Sequence, residues 1–167
     1  MKTKITFYYK DLAQKHLFEY IAKHLNKNKY NIKFTQNYNF KSDVGFYAEN
    51  TNHIKDINSK ISFITLGGID QGKLYWPNFW RKESWCRFDF GFLPSKHWAK
   101  MWKDSSWFQE SRPKIAMLLT GWPKSEEIKK IKLRKKKKIE TILYAPCFET
   151  DNKGIDDYIK TEYNRKV

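Results

Sequence analysis

Residues Ile61–Gly68 read ISFITLGG, an unbroken apolar run that stops at a pair of glycines. A strand with one wet face alternates apolar and polar residues. A run without alternation belongs to a strand covered on both faces, which is the condition of a parallel sheet, and the Gly67-Gly68 break delivers a loop at its carboxyl end. The pattern recurs downstream. Phe88–Leu93 (FDFGFL) closes on Pro94-Ser95, with Ser95 placed to cap a helix running to about Lys103. Lys114–Thr120 (KIAMLLT) is a second buried-type strand, ended by Gly121-Trp122-Pro123, and Thr141–Ala145 (TILYA) is the last strand.

Upstream, Lys4–Tyr9 (KITFYY) is rich in β-branched and aromatic residues, and Asp11 follows as the N-cap of a helix whose Leu12, Leu17, Phe18, Ile21, Ala22 and Leu25 form one apolar stripe. Tyr30–Thr35 (YNIKFT) and Asp43–Ala48 (DVGFYA) read as two further strands. Strands interspersed with helical segments predict an α/β fold, a Rossmann-like parallel sheet with flanking helices joined by right-handed crossovers. Ligands in such sheets sit beyond the carboxyl ends of the strands, so the loops after Leu66, Leu93, Thr120 and Ala145 are where chemistry is expected.

The chain has 167 residues, of which 40% are hydrophobic and 17% aromatic, enough for one real core and against disorder. It carries 33 Lys+Arg against 18 Asp+Glu, a formal net charge of +15 that favours polyanionic partners. Much of the excess lies in one segment: Lys129, Lys130, Lys132, Arg134, Lys135, Lys136, Lys137 and Lys138. Such a run serves equally as an anionic-membrane patch, a nucleic-acid patch or a solvated linker. Residues 1–127 are therefore expected to form the Rossmann-like domain and 128–138 a basic linker. Residues 139–167 then either begin a second domain or make a terminal strand and helix, about Ile155–Tyr163, that packs back on the first.

Two cysteines, Cys86 and Cys147, lie far apart without paired ligand spacing, so no disulfide framework, zinc site or cofactor is expected. No cleavable leader and no membrane-spanning apolar run is visible, which predicts a cytoplasmic protein, peripheral at the inner membrane face if the lysine run engages lipid. The P-loop, GxGxxG, GxSxG and HExxH signatures are all missing. Trp76, Trp80, Trp85, Trp98, Trp102 and Trp107 crowd together among Lys73, Arg81, Lys82, Arg87, Lys96, Lys100 and Lys103. They can pack a helix and loop on the sheet, or stack on sugars, on single-stranded nucleic acid or at a bilayer interface. His16 and His24 read as partly exposed helix residues, and His97 is the strongest functional candidate among the histidines.

From Ile61 to Asp151 the order of turns resembles bacterial CDP-glycerol glycerophosphotransferases of the teichoic-acid polymerase type. It runs from a glycine turn, through an Asp-containing strand ending in Pro-Ser and LLTGWPKSEE, to ILYAPCFETD. The resemblance implies the first half of a GT-B architecture, in which two Rossmann-like domains face each other across a cleft. It also implies a CDP-activated donor, a polyol-phosphate or glycan acceptor, and a C-terminal partner domain. The positions it marks for substrate are Gly67, Gly68, Lys73, Ser95, Gly121, Pro123, Lys124 and Pro146.

Departures from the family pattern weaken the catalytic expectation. Family members carry His-Gly where this chain has Gly67-Gly68, leaving Asp70 as the one acid–base group in Gly67–Lys73 able to act as base. Lys124 and Glu126 stand for an Arg and an Asp, which forfeits the guanidinium fork. Cys147 and Glu149 replace a Thr and an Arg. The resemblance thus implies an acceptor-side domain, inactive alone. The competing expectation is a small basic protein that binds nucleic acid or anionic membrane without catalysis.

Overall fold

The computed structural model describes residues 2–48, 54–67, 84–107 and 109–125. The chain divides into two compact units, Met1–Ile131 and Lys132–Val167, and all described residues belong to the first. The boundaries expected at 127 and 138, the strand at Thr141–Ala145 and the helix at Ile155–Tyr163 lie outside the described residues.

Six strands form one sheet: β1 (Thr3–Tyr8), β2 (Tyr30–Thr35), β3 (Ser42–Ala48), β4 (Ser59–Thr65), β5 (Phe90–Leu93) and β6 (Ala116–Leu119). Their spatial order is β2-β1-β3-β4-β5-β6 and every pairing is parallel. Helix α1 (Leu12–Ala22) packs Phe18 and Ala22 on one face, and α2 (Lys96–Asp104) packs Trp98 on the other. This is the Rossmann-like α/β architecture, doubly wound, with the strand order reversing its direction of winding between β1 and β3. Among the described residues no helix is long and apolar enough to cross a membrane.

Both helix starts follow from their caps. Asp11 is extended and its carboxylate accepts the Gln14 N–H, while Ser95 is extended and its hydroxyl accepts the Trp98 N–H. Along α1, Leu17, Phe18 and Ala22 are buried, but Leu12 keeps 68% of its surface because it opens the first turn, where the helix clears the sheet edge. Among the described residues the strand expected to be buried, β6, lies at the end of the sheet order, with Leu118 and Leu119 39% and 53% exposed.

The α1 face carries a ladder of phenylalanines. Phe34, Phe7, Phe46, Phe63 and Phe90 are in register on β2, β1, β3, β4 and β5. Their consecutive ring centroids are 5.0, 4.8, 4.9 and 5.0 Å apart, all stacked. Strands about 4.8 Å apart bring like residues of an in-register parallel sheet to stacking distance, so the spacing comes from the backbone ladder itself.

On the opposite face the connection between β2 and β3 is short. β2 and β3 flank β1, yet only Gln36–Lys41 joins them, whereas parallel crossovers ordinarily run to a dozen residues or more. This strap spans roughly 20 Å and, with one turn closed by Phe40 N–H to Asn37 O, has little slack. Tyr8 fastens it: its hydroxyl donates to the Phe40 carbonyl and lies 3.1 Å from Ser42 Oγ. Asn58 Nδ2 donates to Tyr38 O at 3.1 Å.

Rings fill the space a crossover helix would occupy. Tyr8 stacks on Tyr47 at 4.5 Å and on Tyr38 at 5.8 Å, and Trp85, Phe88 and Ile54 complete the layer. Large rings lie flat on a sheet only over small residues. A Cβ on Gly45 would fall 2.5 Å from Ser59 Oγ and 2.8 Å from Tyr47 Cε2, and one on Gly91 would fall 2.8 Å from Trp85 Cε3. Burial raises the Tyr47 phenol above its ordinary pKa, and the nearby Tyr8 adds to the rise.

Tyr8→Phe leaves the strap carbonyl and the Ser42 hydroxyl short of a partner and is expected to cost about 1–3 kcal/mol in urea unfolding; an unchanged midpoint would mean the strap does not depend on that hydroxyl. Gly45→Ala is expected to destabilise by about 2 kcal/mol, because the overpacking outweighs the entropy gained from removing a glycine. A stabilised variant would show that Tyr47 does not lie over this position.

Candidate functional site

Because β4, β5 and β6 are neighbours, the turns that follow them line up along one stretch of the carboxyl edge. Gly67 follows β4 and is half-buried. Ser95 caps α2 after β5, its Oγ 3.3 Å from Trp98 N, with Lys96 and His97 exposed in the first turn. Gly121 follows β6 at φ +82°, a conformation L side chains avoid. Thr120 N–H donates to Leu93 O at 3.1 Å, and Ser125 returns its N–H and its hydroxyl to Trp122 O, closing a turn through Pro123 and Lys124. Trp122 packs against the core cluster that contains Leu93, which fixes this turn to the sheet.

Five of the positions marked by the resemblance, Gly67, Ser95, Gly121, Pro123 and Lys124, thus come from three adjacent strand ends. Gly68, Asp70, Lys73, Pro146 and the lysine run Lys129–Lys138 lie outside the described residues, as do Glu126, Cys147 and Glu149. The edge that is described suits an anion chemically: a helix N-terminus without acidic residues in its first turn, flanked by Lys96, His97 and Lys124.

The tryptophans divide. Trp85 and Trp98 are core, and Trp102 is half-buried with its Nε1–H donating to Ser111 O at 2.8 Å. Trp107 keeps 67% of its surface, and Trp76 and Trp80 lie outside the described residues. Three of the four described members of the cluster therefore pack the sheet. His16 bonds Glu19 on the exposed side of α1, and His24 is exposed at its end. Cys86 is a free, half-buried thiol, and among the described residues no group of three His, Cys, Asp or Glu could hold a metal.

Strand order brings forward two places that periodicity could not. The first is the reversal point beside β1, where such folds bind ligands. Here the groups are occupied with one another: Asp11 accepts Gln14 N–H at 2.9 Å, Gln14 Oε1 accepts Lys10 N–H at 2.7 Å, and Gln36 Nε2 donates to Lys10 O. Burial, with the charge of Asp11, pushes the Tyr38 phenol up to about 12. Among the described residues the polar groups of this corner are thus bonded to one another.

The second is the amino edge, where two aspartates clamp neighbouring strands. Asp43 accepts the Lys4 N–H of β1 and pairs with Lys60 of β4 at 2.7 Å, and the Lys60 hydrogen bond, followed by that of Lys4, holds its carboxyl below the usual range. Asp89 takes Ser62 N–H at 2.8 Å and Ser62 Oγ at 2.7 Å, with Lys114 at 3.9 Å. Asp89 belongs to the Asp-containing strand that carries part of the resemblance, and its carboxylate is committed to holding β4 at the edge opposite the loops.

The chain matches no protein-family model, no curated protein and no solved structure. The transferase resemblance therefore rests on the residues of Ile61–Asp151 alone.

Gly121→Ala is expected to cost about 1–2 kcal/mol, entirely from its positive φ, since a Cβ there meets nothing within 4 Å. Gly121→Asn should recover most of that loss, because asparagine tolerates the left-handed region. Equal losses for both variants in thermal unfolding would point to a steric cause instead.

Proposed function

We propose that this sheet is an acceptor-side Rossmann-like domain of the CDP-glycerol glycerophosphotransferase kind, which takes a phosphate-bearing ligand at the carboxyl ends of β4, β5 and β6 and does not turn it over by itself. The observation that carries the reading is the meeting of Gly67, Ser95 and Gly121–Lys124 at one edge, with no acidic residue in the first turn of α2 and with Lys96 and Lys124 beside these turns. In the complete reaction an acceptor hydroxyl attacks the β-phosphorus of CDP-glycerol, the new O–P bond forms as the bond to CMP breaks, and the hydroxyl proton passes to a base. The chain has glycine where the family has the histidine base, so binding of a phosphate-bearing acceptor without CMP release is the activity proposed here. The runner-up reading is a basic binding protein without catalysis, favoured by the excess of 33 Lys+Arg over 18 Asp+Glu.

Titration of the isotope-labelled full chain with an acceptor polyol phosphate should move the amide resonances of Gly67, Ser95 and Gly121, with no CMP appearing when CDP-glycerol is added. Resonances that stay fixed up to low-millimolar polyol phosphate would defeat the binding claim, and steady CMP release would defeat the claim of inactivity.

A further inference from the structure

From Tyr20 to Ser42 the chain contains no Asp or Glu but five lysines, Lys23, Lys27, Lys29, Lys33 and Lys41, interleaved with Asn26, Asn28, Asn31, Asn37 and Asn39. This stretch forms the end of α1, the turn after it, the edge strand β2 and the strap. Along β2 runs an open groove of about 810 Å³ bordered by Lys2, Lys4 and Lys27, by Asn31, and by the half-buried Tyr30, Ile32 and Phe34. Lys2 Nζ donates to Lys27 O at 3.4 Å, which draws the N-terminal strand and the helix-to-strand turn together around it. Lys29 lies over the Tyr30 ring at 5.4 Å and Lys33 over Phe40 at 3.6 Å, holding two further ammonium groups beside the edge.

Asp43 is the carboxylate that touches this region, through the backbone N–H of Lys4, and its charge is already engaged by Lys60.

We infer that the β2 edge is a binding surface for single-stranded nucleic acid. Lysines spaced along an extended edge track a phosphate backbone, half-exposed rings such as Tyr30 offer a stacking face, and the asparagine amides both donate to and accept from base edges. A bilayer fits the surface less well. Among the described residues the exposed large apolar side chains, Leu12, Ile61, Trp107, Ile115, Leu118 and Leu119, do not border the groove, which lacks a fully exposed wedge to insert. This surface is separate from the carboxyl-edge reading and stands or falls without it.

The test uses the full chain and a labelled oligouridylate of about 12 nucleotides, followed by fluorescence anisotropy across a potassium chloride series. Lys2→Gln/Lys4→Gln/Lys27→Gln, three exposed positions, should weaken binding at low salt about tenfold and reduce the magnitude of the salt slope by about 2, at roughly 0.7 for each phosphate no longer neutralised. Lys55→Gln/Lys100→Gln/Lys103→Gln, exposed positions that do not border the groove, serves as the comparison for charge removal elsewhere, and a 4-thiouridine oligomer should crosslink to the peptide containing Tyr30 in that variant as in the parent. Unchanged affinity and slope in the groove variant would overturn the inference. So would co-sedimentation with phosphatidylserine vesicles that the groove variant loses while oligouridylate binding stays the same, since the surface would then be a lipid site.

Discussion

The hydroxyl of Tyr8 and the carbonyl of Phe40 form the contact on which the rest of this sheet depends. Two strands on either side of β1 must be connected in parallel by six residues, and such a strap stays on the sheet only if something beneath it satisfies its backbone groups. Tyr8 does so from the middle strand, lying flat enough to reach Ser42 as well. Its ring then becomes the platform for Tyr38 and Tyr47, and Tyr47 needs the bare backbone of Gly45 below it. In most doubly wound sheets helices perform this covering. Here aromatic side chains take over much of it, which gives the aromatic content of 17% a structural cause.

The two faces solve the same problem differently. On the α1 side the register of the parallel ladder stacks five phenylalanines at nearly constant spacing, and α1 then needs to cover only part of the face. On the strap side, rings of different size fit over glycines and around the strap, with α2 covering the far end through Trp98. The amino edge is held by carboxylates from β3 and from the residue before β5, and the carboxyl edge carries the turns. Stability and ligand access are thus assigned to opposite ends of the strands.

Much of the fold was legible because it is local. Unbroken apolar runs marked β4 and the parallel class, Asp11 and Ser95 marked both helix starts, and Tyr30–Thr35 was bounded to the residue. Legibility fell where the answer depends on neighbours. KIAMLLT has the composition of a central strand, yet among the described residues it sits at an edge, since apolar content does not encode position in the sheet. Leu12 fits the helical stripe but opens the helix beyond the reach of the core. The candidate turns were visible as Gly and Pro after strands, whereas their adjacency came only from strand order. Lys2, Lys4 and Lys27 are scattered in sequence and meet only because β1 and β2 pair in register. The aspartate clamps were hidden for the same reason: Asp89 looked like part of a loop-bearing strand, and its partner Ser62 lies 27 residues away.

The strap is either an integral part of the sheet or a loop laid over it. Native-state hydrogen exchange reads this directly, since amides that open only with the whole domain report the global unfolding free energy. The Ser42 and Phe40 amides should exchange with the same free energy, and the same urea dependence, as those of Ile5, Phe7 and Phe46 on the central strands. Exchange of Phe40 and Ser42 through a low-energy local opening, insensitive to urea while the central strands stay protected, would contradict the strap's integral role.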